Sequence, residues 1–306
     1  MRIFVTGATG YVGSAVVQDL LAVGHEVIGL ARSDQSAQAL RQAGVGVRPG
    51  SLDDLDSLAR GAAAADGVIH TAFVHDFSDY AGAGRKDHAA VRAMADALAG
   101  SDRPLVIASG TALLPPGRLV TEADAPDPNS AAAIRIPSEE VLAQAAARGV
   151  RTAAVRLPPS VHGDGDHAFV PALIAVARRK GVSAAIGDGA NRWPAVHRLD
   201  AARLFRLAVE SAPADARLHA VADEGVPFRD IAALIGRRLN LPIASVPQDD
   251  APEYFGSLVH FAAIDNPTSS ASTQELMDWR PTRPKLLADM DRGAYFSPGP
   301  RAAEAA

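Results

Sequence analysis

Residues 6–13 read TGATGYVG, which follows the apolar run RIFVT at 2–6 and precedes a stretch rich in Ala, Val and Leu. This order predicts a strand, a tight loop and a helix. Glycines at the turn, at the phosphate approach and at the helix–strand contact leave room for a dinucleotide, whose pyrophosphate the helix start favours. A merely structural turn is the alternative. The expected cofactor contacts are Gly7, Thr9, Gly10, Tyr11, Val12 and Gly13.

Beyond this loop, apolar β-branched runs alternate with Ala- and Leu-rich stretches. Such alternation predicts a parallel sheet with crossover helices. Helices are expected from about residue 34, at about 86–99 and around 138–148. The sequence thus predicts an α/β fold with a doubly wound parallel sheet of the Rossmann type. The six candidate strands are 2–6, 26–30, 45–49, 67–73, 104–110 and 151–158.

After Pro158 the sequence pattern changes: loops rich in Gly, Asp and Pro separate shorter elements. We expect a dinucleotide-binding domain at 1–158 and a smaller C-terminal substrate-binding lobe, with returning elements of the sheet, at 159–297. Residues 298–306 read as a frayed tail.

The amino-acid composition excludes several kinds of partner and chemistry. The 306 residues, 48% of them hydrophobic, can bury a sizeable core. A net charge of -5 argues against nucleic acid as a main partner, and the lack of cysteine excludes thiolate chemistry and Cys-ligated zinc. No histidines show metal-ligand spacing, so no metal is expected. With no signal peptide or membrane span in the sequence, we expect a cytoplasmic monomer or homodimer acting on a small molecule.

Several stretches resemble one family. The GxxGxxG spacing of 6–13 resembles the extended or atypical short-chain dehydrogenases/reductases, which are related to sugar-nucleotide epimerases and dehydratases. VIHTAF, ASGT, RLPPSVHGDGD and GDGANRWPAVHRLDAARL resemble later segments of that family. The resemblance implies a nicotinamide dinucleotide cofactor and an active-site serine at Ser109. It also implies cofactor contacts at Thr71, Ala72, Phe73, Pro158 and Ser160.

The end of the second strand distinguishes NAD from NADP. An acidic side chain there binds the ribose 2′-hydroxyl, whereas a cation binds a 2′-phosphate. In GLARSDQ, Arg32 and Ser33 are nearest the strand end, which favours NADP. Arg32 as a solvated cation, with Asp34 serving NAD, is the alternative. In GSLDD, Ser51 and Leu52 are the expected adenine neighbours.

IRIPSEEVL at 134–142 covers the expected position of the catalytic acid. The family carries a Tyr and, four residues later, a Lys, and in this sequence Arg135 and Glu139 fall on those positions. A guanidinium does not titrate at usable pH, so Arg135 is no general acid or base. Arg135 and Glu139 are then either substrate contacts, with the guanidinium donating hydrogen bonds to a developing oxyanion, or an i, i+4 surface ion pair.

Other groups are candidates for the missing chemistry. Ser109 and Thr111, at the end of the fifth strand, are expected to hydrogen-bond a substrate oxygen. The leading hypothesis is an NADP-dependent oxidoreductase that reduces a carbonyl or related group. An epimerase or dehydratase, and a non-catalytic NADP-binding sensor, are the alternatives. The expected substrate-binding residues are His75, Tyr80, His162, Trp193, His197 and His260.

Overall fold

The computed structural model describes residues 1–74, 79–130 and 132–297. Its strands are β1 (Arg2–Thr6), β2 (Glu26–Ala31), β3 (Gly46–Pro49), β4 (Gly67–His70), β5 (Pro104–Gly110), β6 (Arg151–Leu157), β7 (Ser160–His162), β8 (Ser183–Ile186), β9 (Arg192–His197), β10 (Ala216–His219), β11 (Asp223–Pro227) and β12 (Ile243–Val246). Its helices are α1 (Tyr11–Ala22), α2 (Asp34–Gln42), α3 (Leu55–Ala63), α4 (Tyr80–Leu98), α5 (Ile136–Ala146), α6 (Phe169–Lys180), α7 (Arg198–Ser211), α8 (Phe228–Leu239), α9 (Ala251–Phe255), α10 (Val259–Ala262), α11 (Ala271–Leu276) and α12 (Leu286–Arg292).

Seven strands form one parallel sheet in the order β10-β6-β5-β4-β1-β2-β3. The prediction of a doubly wound Rossmann sheet is confirmed, and all six expected strands belong to it. The seventh, β10, comes from the later part of the chain. The strand order reverses between β1 and β4, and ligands of open α/β sheets bind beside such a reversal.

Helices cover both faces of this sheet. On one face α1, α2 and α7 contribute to a core that contains Val16, Leu40 and Phe205. On the other face α3, α4 and α5 bury a second set of apolar side chains, among them Met94 and Leu142. Because both faces are covered, the central strands are nearly continuous apolar runs rather than alternating ones.

Residues after β6 build a separate apolar cluster beside two small sheets, β11-β9-β7 and β12-β8. Helix α7 and strand β10 nevertheless return to the large sheet. The division of the chain at residue 158 into a dinucleotide-binding domain and a substrate-binding lobe with returning elements stays a prediction. The expected tail at 298–306 lies outside the described residues.

Two helix bounds differ from the expected ones. Helix α4 begins at Tyr80 rather than near residue 86, because the Asp79 side chain accepts a hydrogen bond from the Gly82 N–H at 2.9 Å and caps it. Helix α5 begins at Ile136, with Pro137 in its first turn, where a missing N–H costs nothing.

The glycine loop has the close contacts that its sequence implies. Gly7 has φ +70°, a left-handed conformation that favours glycine. A Cβ on Gly13 would stand 2.0 Å from the Gly7 carbonyl oxygen, so α1 packs directly on the loop backbone. A Cβ on Gly7 would meet the backbone N of Ala72 at 2.7 Å. The loop is therefore pressed against the residues that follow β4.

Gly13→Ala should lower the free energy of unfolding by about 2–3 kcal/mol or more, since the new methyl group has no room beside the Gly7 carbonyl. The control is Gly46→Ala in β3, where the nearest atom to a Cβ is 3.4 Å away, and it should change stability by less than about 1 kcal/mol. Urea unfolding of both variants measures the difference. Equal losses would contradict the packing described here.

Candidate active site

The start of α1 lies where the carboxyl ends of β1 and β4 meet. Gly10 is the N-cap residue and exposed, and no side chain caps the helix. The first N–H groups of α1, at Tyr11 and Val12, therefore have no partner within the helix. These groups and the helix dipole could hold the phosphates of a dinucleotide. Exposed Thr9 lies beside it.

The strand ends fit the remainder of such a cofactor. After β4, the Thr71 hydroxyl donates to the Thr6 carbonyl at 2.8 Å, which fixes the chain beside the glycine loop. Ser109 in β5 and Ser160 in β7 both have buried hydroxyls without a hydrogen-bond partner. Buried Pro158 precedes Ser160. Buried hydroxyls without a partner are available to hydrogen-bond a polar ring such as nicotinamide, so the residues present fit the group.

The end of β2 opens into a cavity of about 520 Å³. Arg32 and Arg41 line it, both exposed and neither paired with a carboxylate among the described residues. The Ser33 hydroxyl also lines it, but this hydroxyl caps α2 by accepting from the Ser36 N–H at 3.2 Å. Ser51 lies in the same wall, whereas Leu52 is partly buried against the core under α3 and α4.

A buried polar network surrounds Asp87 of α4. Arg135 donates from Nη1 to Asp87 Oδ1 at 3.1 Å, and Ser138 donates to Oδ2 at 2.5 Å. His70 bridges the same carboxylate, at 3.1 Å, and the Thr6 hydroxyl, at 2.6 Å. Burial alone would raise the pKa of Asp87, but Arg135, and then His70, hold it below its ordinary value. Asp87 is therefore a buried, ionised partner of Arg135.

A second network holds Glu139. Arg156 of β6, fully buried, binds the Glu139 carboxylate through both oxygens, at 3.0 and 2.7 Å. On its other side Arg156 meets His219 Nε2 at 3.4 Å, while His219 Nδ1 lies 2.8 Å from the Ser269 carbonyl. Burial would raise the pKa of Glu139, but Arg156 keeps it below its ordinary value. Burial lowers the pKa of His219.

The interpretation of Arg135 and Glu139 as a surface ion pair is wrong. Both side chains point inward and bind different partners, Asp87 and Arg156, which belong to other elements. The i, i+4 spacing describes contacts within one helix only. It therefore gives no information on the buried opposite charges that the neighbouring α4 and β6 supply. Arg135 also donates from Nη2 to the Ala108 carbonyl, which orders the end of β5.

Ser109 in β5 and Thr111 just after it, both expected to contact a substrate, differ in availability. Ser109 is 7% exposed, and its hydroxyl has no partner of ordinary geometry, although it lies near enough to Glu139 to lower the pKa of that carboxyl. Thr111 is fully buried, and its hydroxyl donates to Asn266 Oδ1 at 2.7 Å. The expectation that Thr111 binds substrate is therefore wrong for its hydroxyl, since that donor joins two chain segments.

Aromatic side chains extend the site from Arg135. The guanidinium carbon of Arg135 lies 4.4 Å from the Phe73 ring centroid, and the Tyr80 ring meets Phe73 edge-on at 6.2 Å. Burial raises the pKa of Tyr80, and Arg135 opposes that shift. The structure thus brings Tyr80, Phe73 and Arg135 together. His75 lies outside the described residues.

The other expected substrate-binding residues do not join this cluster. His162 and His197 are buried neighbours, with ring centroids 5.4 Å apart, and His162 Nδ1 lies 2.8 Å from Asp289. Trp193 is 1% exposed and donates to the Phe261 carbonyl, so assigning it to a substrate was wrong because it fills the core of the later cluster. His260 is exposed on α10 and hydrogen-bonds to no other described residue.

Asp87 and Arg156, which organise the site, were missed from the sequence. A signal existed for each of them. Asp87 stands in the apolar stripe of α4, between Ala83 and Val91, where an unpaired charge is costly. Arg156 interrupts the apolar run at the end of β6, between Val155 and Leu157.

Comparisons with known proteins identify the family of this chain. A family model described as the NAD dependent epimerase/dehydratase family matches residues 3–220. An uncharacterized protein of Schizosaccharomyces pombe is 51% identical over 298 residues, 97% of this chain and 100% of that protein. A 2'-dehydrokanamycin reductase of Streptomyces kanamyceticus is 32% identical over 267 residues, 83% of this chain and 71% of that protein.

A solved structure shares the fold. A double mutant of the dTDP-glucose 4,6-dehydratase DesIV of Streptomyces venezuelae, with NAD bound, superposes with a TM-score of 0.78 at 20% identity, covering 99% of this chain and 98% of that one. Together with the family match, this confirms the expected resemblance, an enzyme of the short-chain dehydrogenase/reductase type and a nicotinamide dinucleotide cofactor. NADP, the substrate and the roles of residues 135 and 139 stay predictions.

Along residues 1–74, 79–130 and 132–297, no helix is long and apolar enough to span a bilayer. Across the same ranges, no three His, Asp or Glu side chains are grouped as metal ligands would be.

Arg135→Met should lower the free energy of unfolding by about 3–5 kcal/mol, because it leaves Asp87 buried without its cation. The matched control is Arg2→Met, whose ion pair with Glu26 is exposed at the surface and should cost less than about 1 kcal/mol. Urea unfolding at pH 7 measures both. A loss in Arg135→Met as small as the control would restore the surface-pair interpretation.

The free energy of unfolding should decrease as the pH drops below neutrality. Burial lowers the folded-state pKa of His219, so below about pH 6.5 the unfolded chain binds more protons than the folded chain and is stabilised relative to it. His219→Gln should flatten the dependence of unfolding free energy on pH between about 7.5 and 5.5. Exposed His260→Gln is the control. A slope in His219→Gln that matches wild type would contradict the neutral, buried histidine.

Proposed function

The chain belongs to the NAD dependent epimerase/dehydratase family, and from that premise we propose that it is an NADP-dependent reductase acting on a carbonyl or related group of a small substrate. The observation that carries this proposal is the pairing at positions 135 and 139. Arg135 is bound to Asp87 and Glu139 to Arg156, so neither is a proton donor or base at neutral pH.

Carbonyl reduction suits such a site better than epimerisation. NADPH, when bound, would supply a hydride to the carbonyl carbon, and the oxygen would take up one proton from solvent to give the alcohol. The Ser109 hydroxyl donates a hydrogen bond to the oxygen as negative charge develops on it, and Arg135 beside Ala108 stabilises that charge electrostatically. Tyr80 keeps its proton at neutral pH because burial raises its pKa, so it remains a donor.

Epimerisation or dehydration of a sugar nucleotide requires more from the protein. Oxidising a hydroxyl first requires a base to remove its proton, and the guanidinium at position 135 does not titrate. A diphosphate also needs free cations, yet Arg192, in the signature GDGANRWP, is bound through Nε and Nη2 to Asp265 at 2.9 and 2.8 Å. A relative named as a reductase at 32% identity supports reduction as well. The NADP-binding sensor is the remaining alternative, favoured by the same charge pairs.

The cavity at the end of β2 supports NADP over NAD. Arg32 and Arg41 present two exposed guanidinium groups to it, which suit a phosphate geometrically and electrically. Asp34 and Asp54 share the wall. The Asp54 carboxylate already caps α3 by accepting from the Ser57 N–H at 2.9 Å, which leaves Asp34 as the competitor for a ribose hydroxyl.

NADPH should bind more tightly than NADH, and Arg32→Ala should weaken NADPH by roughly 10-fold or more with little effect on NADH, because the lost contact is a charge-assisted hydrogen bond. Arg60→Ala, an exposed cation on α3, is the control. Calorimetry on wild type and both variants gives the affinity of each protein for NADPH and for NADH. Equal wild-type affinities for the two cofactors would contradict NADP as the cofactor.

A panel of aldehydes and ketones should contain substrates that consume NADPH, followed by its absorbance. On such a substrate, Ser109→Ala should lower kcat by about 10- to 100-fold while leaving NADPH affinity within about twofold, since the hydroxyl acts mainly in the transition state. Ser211→Ala, exposed on α7, is the control. NADPH binding without consumption across the panel would favour the sensor, and unchanged kcat in Ser109→Ala would remove that residue from the chemistry.

A further inference from the structure

Residues 163–167 form a loop that packs on the first turn of α1. The Tyr11 hydroxyl, on the residue after Gly10, donates to the Gly163 carbonyl at 3.1 Å. The Gly163 N–H in turn donates to the Tyr295 hydroxyl at 3.0 Å. His167 meets the Tyr11 ring edge-on at 5.6 Å between centroids. The later part of the chain thus covers the residue whose N–H opens the phosphate site.

Arg198 stands over the same tyrosine. It is the first residue of α7, which shares one face of the sheet with α1. Its guanidinium carbon lies 5.0 Å from the Tyr11 ring centroid, and Nη1 donates to the Asp164 carbonyl at 2.9 Å. Among the described residues no carboxylate forms an ion pair with Arg198. The charge is therefore held beside the start of α1 without being neutralised.

Acidic groups surround this position. Burial raises the pKa of Tyr11, and Asp166, Asp289 and Asp164 raise it further, whereas Arg198 lowers it. A pyrophosphate brought to the start of α1 enters the negative field of these three carboxylates. Two of them have partners: Asp166 accepts from the Tyr295 hydroxyl at 2.9 Å, and Asp289 lies 2.8 Å from His162 Nδ1. The Arg198 cation beside the loop offsets that repulsion.

We infer that Arg198 binds the pyrophosphate of the dinucleotide, and that the Tyr11 ring and the Asp164 carbonyl hold its guanidinium in place for this contact. The loop at 163–167 then clamps the cofactor against the glycine loop. This inference rests on the proposed NADP-binding function. It adds a residue from the later part of the chain to a phosphate site that the glycine loop would otherwise form from backbone alone.

The test compares two ligands that differ in the pyrophosphate. NADPH carries both the pyrophosphate and the 2′-phosphate, whereas adenosine 2′-monophosphate carries only the latter. Arg198→Gln should lower the affinity for NADPH by roughly 10-fold or more, because a charge-assisted contact is lost. It should leave the affinity for adenosine 2′-monophosphate within about twofold of wild type. Arg32→Gln should weaken both ligands. Arg203→Gln, on the same helix and bonded to the Arg280 carbonyl, is the control.

Affinities come from NADPH fluorescence and from its displacement by adenosine 2′-monophosphate, with thermal unfolding to verify that each variant folds. Tyr11→Phe keeps the ring under Arg198 and removes only the bond to Gly163, so NADPH should dissociate several-fold faster with 2′-monophosphate affinity unchanged. Unchanged NADPH affinity in Arg198→Gln, or equal loss of both ligands, overturns the inference while NADP binding stands. Wild-type protein that binds neither NADPH nor NADH overturns the proposed function and the inference together.

Discussion

The buried carboxylate of Asp87 is the constraint on which the site depends. A charge inside a protein is tolerated only with partners that replace its lost hydration, and here Arg135, His70 and Ser138 provide them. These partners come from β4, from the turn before α5 and from α5 itself, so one carboxylate joins the sheet to two helices. Arg135 is consequently held against Ala108 and Phe73, and it is no longer free to move toward a substrate.

The second buried pair limits the chemistry in the same way. Arg156 and Glu139 neutralise each other beside Ser109, and His219 stays on the far side of Arg156. Both pairs carry fixed charges at neutral pH, so the site stabilises charge without exchanging protons at positions 135 and 139. A site with that property favours accepting a hydride on a carbonyl, where an oxyanion is stabilised, over removing a proton from a hydroxyl.

The sequence predicted those features that arise from local pattern. Glycine spacing predicted the loop between β1 and α1, and apolar periodicity predicted the six strands, because each depends on neighbours within a few residues. The strand β10 was missed, since its four residues pair with β6 more than 60 positions earlier. The partners of Arg135 and Glu139 were missed for the same reason, although Asp87 in an apolar stripe and Arg156 in an apolar strand were visible irregularities. Thr111 and Trp193 were assigned to substrate because sequence order does not reveal which hydroxyl or indole is already bonded in the core.

The central claim, hydride transfer to a carbonyl at a site without a titrating Tyr–Lys pair, is tested most directly by isotope transfer. Each of the two NADPH diastereomers deuterated at C4 of the nicotinamide would be incubated with the protein and a panel of carbonyl compounds. Mass spectrometry would then measure the deuterium content of the products. One diastereomer should give a deuterated alcohol, and the other should give an unlabelled alcohol. Deuterium that stays wholly in the bound cofactor, with every carbonyl compound recovered unchanged, would contradict the claim.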